Sequence, residues 1–141
     1  MRRINCLMGV LTVLLMLSLC LLVCGCGNES MTTYYADKDN YITAVGTVSH
    51  IFNDEDERVL YIAFDALSSS FDDNNFKVTG ENYDAVVENG IMEVLQLGVQ
   101  MEFATAPRYF GDGYVMPIVA VKINEVDYLN FEKGFSNFTG K

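Results

Sequence analysis

"YITAVGTVSHIF", Tyr41 to Phe52, decides the fold. Most of its residues are β-branched or aromatic, and such side chains suit a pleated, half-buried surface. With a two-residue period, Ile42, Ala44, Val48 and Phe52 fall on one face, and Thr43, Thr47 and Ser49 on the other. That is the pattern of a long strand with one face in a core. Gly46 lies inside it. Glycine weakens a strand interior, so a bulge or sharp bend is expected at Gly46.

The segments after this strand extend the same pattern. "NDEDER" reads as a turn and "VLYIAFDAL", Val59 to Leu67, as a second strand with Leu60, Ile62 and Phe64 on one side, so the two pair as a hairpin. "SSSFDDNN" is a loop of turn formers, and "FKVTG" a short third strand. In "ENYDAVVENG", Asn82 suits a helix N-cap and Gly90 a C-terminal stop, with Tyr83, Val86 and Val87 toward the core. Ile91 to Leu97 is a helical or turn segment. "VQMEFATAPRYF" alternates as a fourth strand, "GDG" at 111–113 is a hairpin turn, and "YVMPIVAVKI" is a fifth strand. Pro117 places the middle of that strand at an edge or bulge. "VDYLNF" is a candidate sixth strand.

Strand, strand, strand, short helix, strand, strand, with a glycine in the long first strand, resembles the OB-fold from about Tyr41 to Phe131. The resemblance implies a mainly β, OB-like Greek-key barrel of five to six strands with one short helix between strands three and four. An immunoglobulin-like sandwich is the competitor, but it has no use for a central helix. Many OB-folds bind oligonucleotides or oligosaccharides, yet fold does not fix function.

The first residues have a different character. Arg2 and Arg3 precede a nearly unbroken apolar run, Ile4 to Val23, and then "CGCGNES". A positive start, an apolar run and small residues before a cut form the layout of a secretory signal. Val23-Cys24-Gly25-Cys26 resembles the lipobox of bacterial lipoproteins. That resemblance implies cleavage after Gly25, a lipid on Cys26, and a protein anchored on the extracytoplasmic face of a cell membrane. A retained membrane-spanning helix is the alternative, because about 20 apolar residues suffice to cross a bilayer. All four cysteines lie between Cys6 and Cys26, so an acylated Cys26 leaves the exported part without a disulfide or a free thiol. The expected organisation is a signal peptide at 1–25, a polar tether at 26–40, the β domain at 41–131 and a loose tail at 132–141. Tyr34 and Tyr35 in the tether, and Phe135 and Phe138 in the tail, are the residues there able to dock on the domain.

The part after residue 25 carries 7 basic and 19 acidic residues. Phosphate binding needs clustered Lys and Arg, so this charge argues against a nucleic-acid partner. It also disfavours lying flat on an anionic membrane. His50 is the sole histidine, and there is no nucleophile motif or Gly-rich phosphate loop. No enzyme, cofactor or metal is expected. Asp54 to Glu57 and Asp72 to Asn75 are oxygen-rich, but their spacing fails the EF-hand pattern and they read as solvated turns. The scattered methionines read as core filling.

"PRYFGDGY" is the most ligand-like stretch, with Arg108, Tyr109, Phe110 and Tyr114 around a tight turn. Arg and aromatic residues are enriched at binding surfaces, although Tyr109 and Tyr114 also suit a cross-strand pair. The acidic first-hairpin turn is expected at the same end. The main expectation is a lipid-anchored binding module for a protein, peptide or glycan, with these four residues as the contact patch. The alternative is a structural or accessory envelope lipoprotein without a small-molecule ligand. Exposed rings at 109–114 favour the first; rings covered by the tail favour the second.

Overall fold

A computed structural model describes residues 30–71, 73–108, 110 and 115–141. Helix α1 (Met31–Tyr35) and a 3-10 turn (Lys38–Asn40) lead into strand β1 (Ile42–Asp54). Strands β2 (Val59–Asp65) and β3 (Phe76–Thr79) follow, then helix α2 (Gly80–Glu88) and a 3-10 turn (Ile91–Glu93). The remaining elements are β4 (Gln100–Thr105), β5 (Met116–Ile123), β6 (Val126–Leu129) and helix α3 (Phe131–Thr139). Met31–Lys141 forms one compact unit.

The strands make a six-stranded sheet in the order β3-β2-β1-β4-β5-β6. β3 also meets β5 in a short parallel contact, with Phe76 opposite Met116 and Lys77 opposite Pro117. β1 serves two partners: Ile42 to Thr47 pair with β4, and Thr47 to Asp54 pair with β2. Its inner side meets the core, where Phe64 stacks on Phe103 at 4.5 Å between ring centres and both rings touch Phe76. Leu60, Ile62, Val78, Met101, Ile118 and Ile123 complete a close-packed interior.

The irregularity in β1 is not at Gly46. Gly46 pairs in register with Met101, and the shift falls between Val48 and His50, which leaves Ser49 as the extra residue. An added residue turns every later side chain to the other face. Ile51 therefore points inward opposite Ile62, and Phe52 is 60% exposed instead of sharing the face of Ala44 and Val48. Gly46 is required for close approach: a Cβ there would lie 2.8 Å from Phe64 Cδ1 and 2.9 Å from Leu67 Cδ2.

The expectation of a mainly β, OB-like barrel with one helix is corrected: the described residues form a mixed α/β fold, a six-stranded sheet with three α-helices. Two of those helices come from stretches read as tether and tail. α1 buries Tyr35, and α3 buries Phe135. Asn130 caps α3, its side chain accepting from Lys133 N at 2.9 Å, and Gly140 ends it in the left-handed conformation. α2 starts at Gly80, two residues before the expected cap. Asn82 is buried instead of capping; its Nδ2 donates to Gly134 O at 2.8 Å and its Oδ1 accepts from Asn137 Nδ2 at 3.0 Å. Tyr83 and Val86 face the core as expected, while Val87 is exposed. No helix among the described residues is long and apolar enough to cross a membrane. The apolar run at 4–23 and Cys26 lie outside the described residues.

Candidate functional site

The loop after β4 begins beside the start of β1, because Thr105 pairs with Ile42. The acidic turn follows Asp54 at the other end of that strand. The start of that loop and the acidic turn are thus at opposite ends of β1, not at the same end as expected. Within the acidic turn, Asp54 Oδ1 accepts from Glu57 N at 3.0 Å. In the second oxygen-rich loop, Asn74 behaves as a strand residue: its side chain donates to Phe64 O at 2.6 Å and accepts from Phe64 N at 3.0 Å. No group of three or more metal-ligating residues occurs among the described residues.

Of the four expected contact residues, the structure describes Arg108 and Phe110; Tyr109 and Tyr114 lie outside the described residues. Phe110 is half-buried, with ring centres 5.4 Å from Tyr34 and 5.5 Å from Tyr35. Phe138 of α3 packs edge-on against Tyr35 at 5.7 Å. The Arg108 guanidinium lies 4.6 Å from the Phe110 ring centre and 5.3 Å from that of Tyr34, within cation–π range. Tyr35 Oη donates to Arg108 O at 3.1 Å, and Tyr41 Oη donates to Tyr35 O at 2.9 Å. Lys38 pairs with Glu132 and sits 5.2 Å from the Phe135 ring centre, so the stretch after α1 is clamped to α3.

Burial is the main cause that pushes the Tyr35 hydroxyl up to about 12; Tyr34 adds to it and Arg108 opposes it. The Tyr41 hydroxyl is raised further, again first by burial and then by Tyr35 and Tyr34. Both rings are therefore neutral hydrogen-bond donors over the physiological range, suited to holding backbone in place.

A shallow groove of about 260 Å³ crosses the outer face of β4, β5 and β6. Ala104 and Ala120 line it, with Lys122 at one side. Lys122 lies 3.5 Å from Glu102 and 3.8 Å from Asp127, and these carboxylates, Glu102 first, hold its pKa above the usual lysine value. Its charge is already matched within the sheet. His50 is exposed on β1, opposite Ala63 of β2.

Sequence reasoning named Tyr34, Tyr35 and Phe138 as residues able to dock, but read the segments that carry them as a polar tether and a loose tail rather than as helices. The available signal was the spacing Phe131, Phe135, Phe138, a one-sided apolar stripe at helical period. The expected small-barrel binding module is corrected accordingly: the described part of the loop packs on α1, which α3 in turn meets through Phe138, on a mixed α/β domain. No protein-family model, curated protein or solved structure matches the chain.

Proposed function

We propose that the chain is a structural or accessory lipoprotein of a bacterial envelope, anchored by a lipid on Cys26, whose folded unit holds a place in an envelope assembly and takes no small-molecule ligand. The supporting observation is the aromatic cover. Phe110 packs on Tyr34 and Tyr35, and Phe138 closes on Tyr35 from the far end of the chain. Those rings tie the chain termini of the domain to its sheet, a stabilising task. The anchor reading draws on the arginines, apolar run and Val23-Cys24-Gly25-Cys26 at the start of the chain.

The test has two parts. Intact mass analysis of the membrane fraction should show an acylated Cys26 as the first mature residue, and Cys26→Ser should abolish acylation. A mature N-terminus elsewhere, without lipid, overturns the anchor. For the domain, thermal unfolding with a panel of soluble glycans and peptides should show no shift. A saturable rise in Tm overturns the ligand-free reading, since a ligand at about 100 times its Kd adds roughly 2.7 kcal/mol.

A further inference from the structure

The two edges of β1 are not equally occupied. One edge pairs with β2 from Thr47 to Asp54, and the other pairs with β4 only from Ile42 to Thr47. That second edge is closed as far as Val48, whose N donates to Val99 O at 2.9 Å and whose O accepts from Gly98 N at 2.8 Å. Beyond Val48 the backbone direction follows from β2. Phe64 turns its N–H and C=O away from β1, both being held by the Asn74 side chain. Backbone groups alternate along a strand, so Ile62 and Leu60 also turn from β1, toward Phe76 and Val78 of β3. Ile51 lies opposite Ile62, and Asn53 opposite Leu60. In an antiparallel ladder both members of such a pair direct their N–H and C=O outward. The backbone groups of Ile51 and Asn53 therefore line the open edge of β1, and no described residue hydrogen-bonds them there.

The side chains of this stretch are the ones the bulge has turned over. His50 and Phe52 stand exposed on the outer face, with the Phe52 ring 6.0 Å from Tyr61 of β2. Leu97 is also exposed, next to the Gly98 that closes the edge at Val48. An unpaired edge carrying apolar side chains is a template for another strand, and neither Lys nor Pro guards it between His50 and Asp54.

We propose that this edge pairs with the same edge of a second copy of the chain, β1 against β1, antiparallel about a two-fold axis at Phe52. The proposal goes beyond the function above and does not depend on the anchor. A two-fold contact must be self-complementary, and the backbone restricts the register. Ile51 and Asn53 must each face Ile51 or Asn53 of the second copy. Ile51 against Ile51 runs Asp54 into Val48, where the edge is already taken by Gly98 and Val99. Asn53 against Asn53 sets the Phe52 ring against the Asp54 carboxylate. Ile51 against Asn53 avoids both faults. Each such pair exchanges both backbone hydrogen bonds, the two Phe52 rings meet on the axis, and His50 faces Asp54 of the second copy on either side of them. That places a ring N–H donor against a carboxylate acceptor. Asp54 is the sole acid from His50 to Asp54, so within the pairing stretch each negative side chain meets the imidazole and not another acid.

The test uses two full-length variants, His50→Cys and Asp54→Cys, in detergent with micelles in large excess over protein. Each is oxidised with copper phenanthroline alone and as an equal mixture, and disulfides are mapped by peptide mass spectrometry, which separates them from any made by the native cysteines. In the proposed register positions 50 and 54 of the two copies lie about 4.5 Å apart between Cα atoms, within reach of a disulfide, whereas position 50 is about 13 Å from its own equivalent along the strand. The mixture should give the 50–54 disulfide in several-fold excess over 50–50 and 54–54. Adding Phe52→Lys to both variants should cut its yield several-fold, because two ammonium groups then face each other on the axis. Like-to-like disulfides at equal or greater yield, or a 50–54 yield unchanged by Phe52→Lys, overturns the proposal. No disulfide at either position overturns it as well and leaves the edge to a strand of a different protein. Acylation of Cys26 is scored separately in the same spectra, so the anchor can fail while the pairing stands.

Discussion

Replacing Gly134 by alanine separates packing from helix propensity, because the two give opposite signs. Gly134 is buried in the first half of α3, where α3 lies against β5. A Cβ at this position would come 1.9 Å from Val119 O and 2.7 Å from Val119 C, both backbone atoms that cannot rotate aside. To reach even a tight 3.0 Å contact, α3 must retreat by about 1 Å. Such a shift stretches the 2.8 Å bond from Asn82 Nδ2 to Gly134 O beyond hydrogen-bonding range. Asn82 is 2% exposed, so no solvent replaces the lost partner. A buried donor left unpaired costs about 1–3 kcal/mol, and strain from an inserted methyl in a packed site costs a similar amount. Alanine gains about 1 kcal/mol over glycine in a helix interior. The expected net loss is about 3 kcal/mol, which lowers Tm by roughly 13 °C for a domain of this size. Urea and thermal unfolding followed by circular dichroism measure it. An unchanged or higher Tm for Gly134→Ala would refute the close docking of α3 on β5.

Gly46→Ala should lose about 1–3 kcal/mol in the same assay, since its Cβ would intrude on Phe64 and Leu67; wild-type stability would show that the site is open. Phe110→Ala should lose roughly 1 kcal/mol from its contacts with Tyr34 and Tyr35, whereas an exposed ring would change stability by less than about 0.5 kcal/mol. For Tyr35, burial lifts the hydroxyl to about 12 in the folded chain, above the usual tyrosine value of 10.0. Its contribution is complete below pH 10 and is lost as pH rises from 10 toward 12, because the unfolded chain loses its proton first. Tyr35→Phe should flatten alkaline unfolding in that window, and an unaltered pH profile would count against a buried hydroxyl.

Strands were the most legible part of the chain. Leu60, Ile62 and Phe64 alternate without interruption, and all three are buried where the period puts them. The end of β1 was not legible, because the bulge at Ser49 leaves no compositional mark and reverses the face of Phe52. The glycine drew attention to the wrong position: Gly46 makes room for the Phe64 ring, a contact made through pairing with a strand more than ten residues away. α3 was written in the sequence as Asn130 followed by Phe131, Phe135 and Phe138, but its many polar residues suggested a tail. α1 was hidden for a different reason. A five-residue helix has little intrinsic stability, and it is held by Tyr35 meeting Phe110 and Phe138. The same tertiary contact changed the meaning of the loop. Composition alone gives an aromatic cluster and cannot tell whether a distant segment covers it.

Coupling between Tyr35 and Phe110 tests that cover most directly. In a double-mutant cycle, Tyr35→Leu, Phe110→Leu and the double variant are compared with wild type by urea unfolding. Rings packed at 5.5 Å should give a coupling energy of about 0.5–1.5 kcal/mol, the double variant losing less than the sum of the two single losses. Strict additivity, with Phe110→Leu as stable as wild type, would mean that the loop stands free of α1, and would contradict the account.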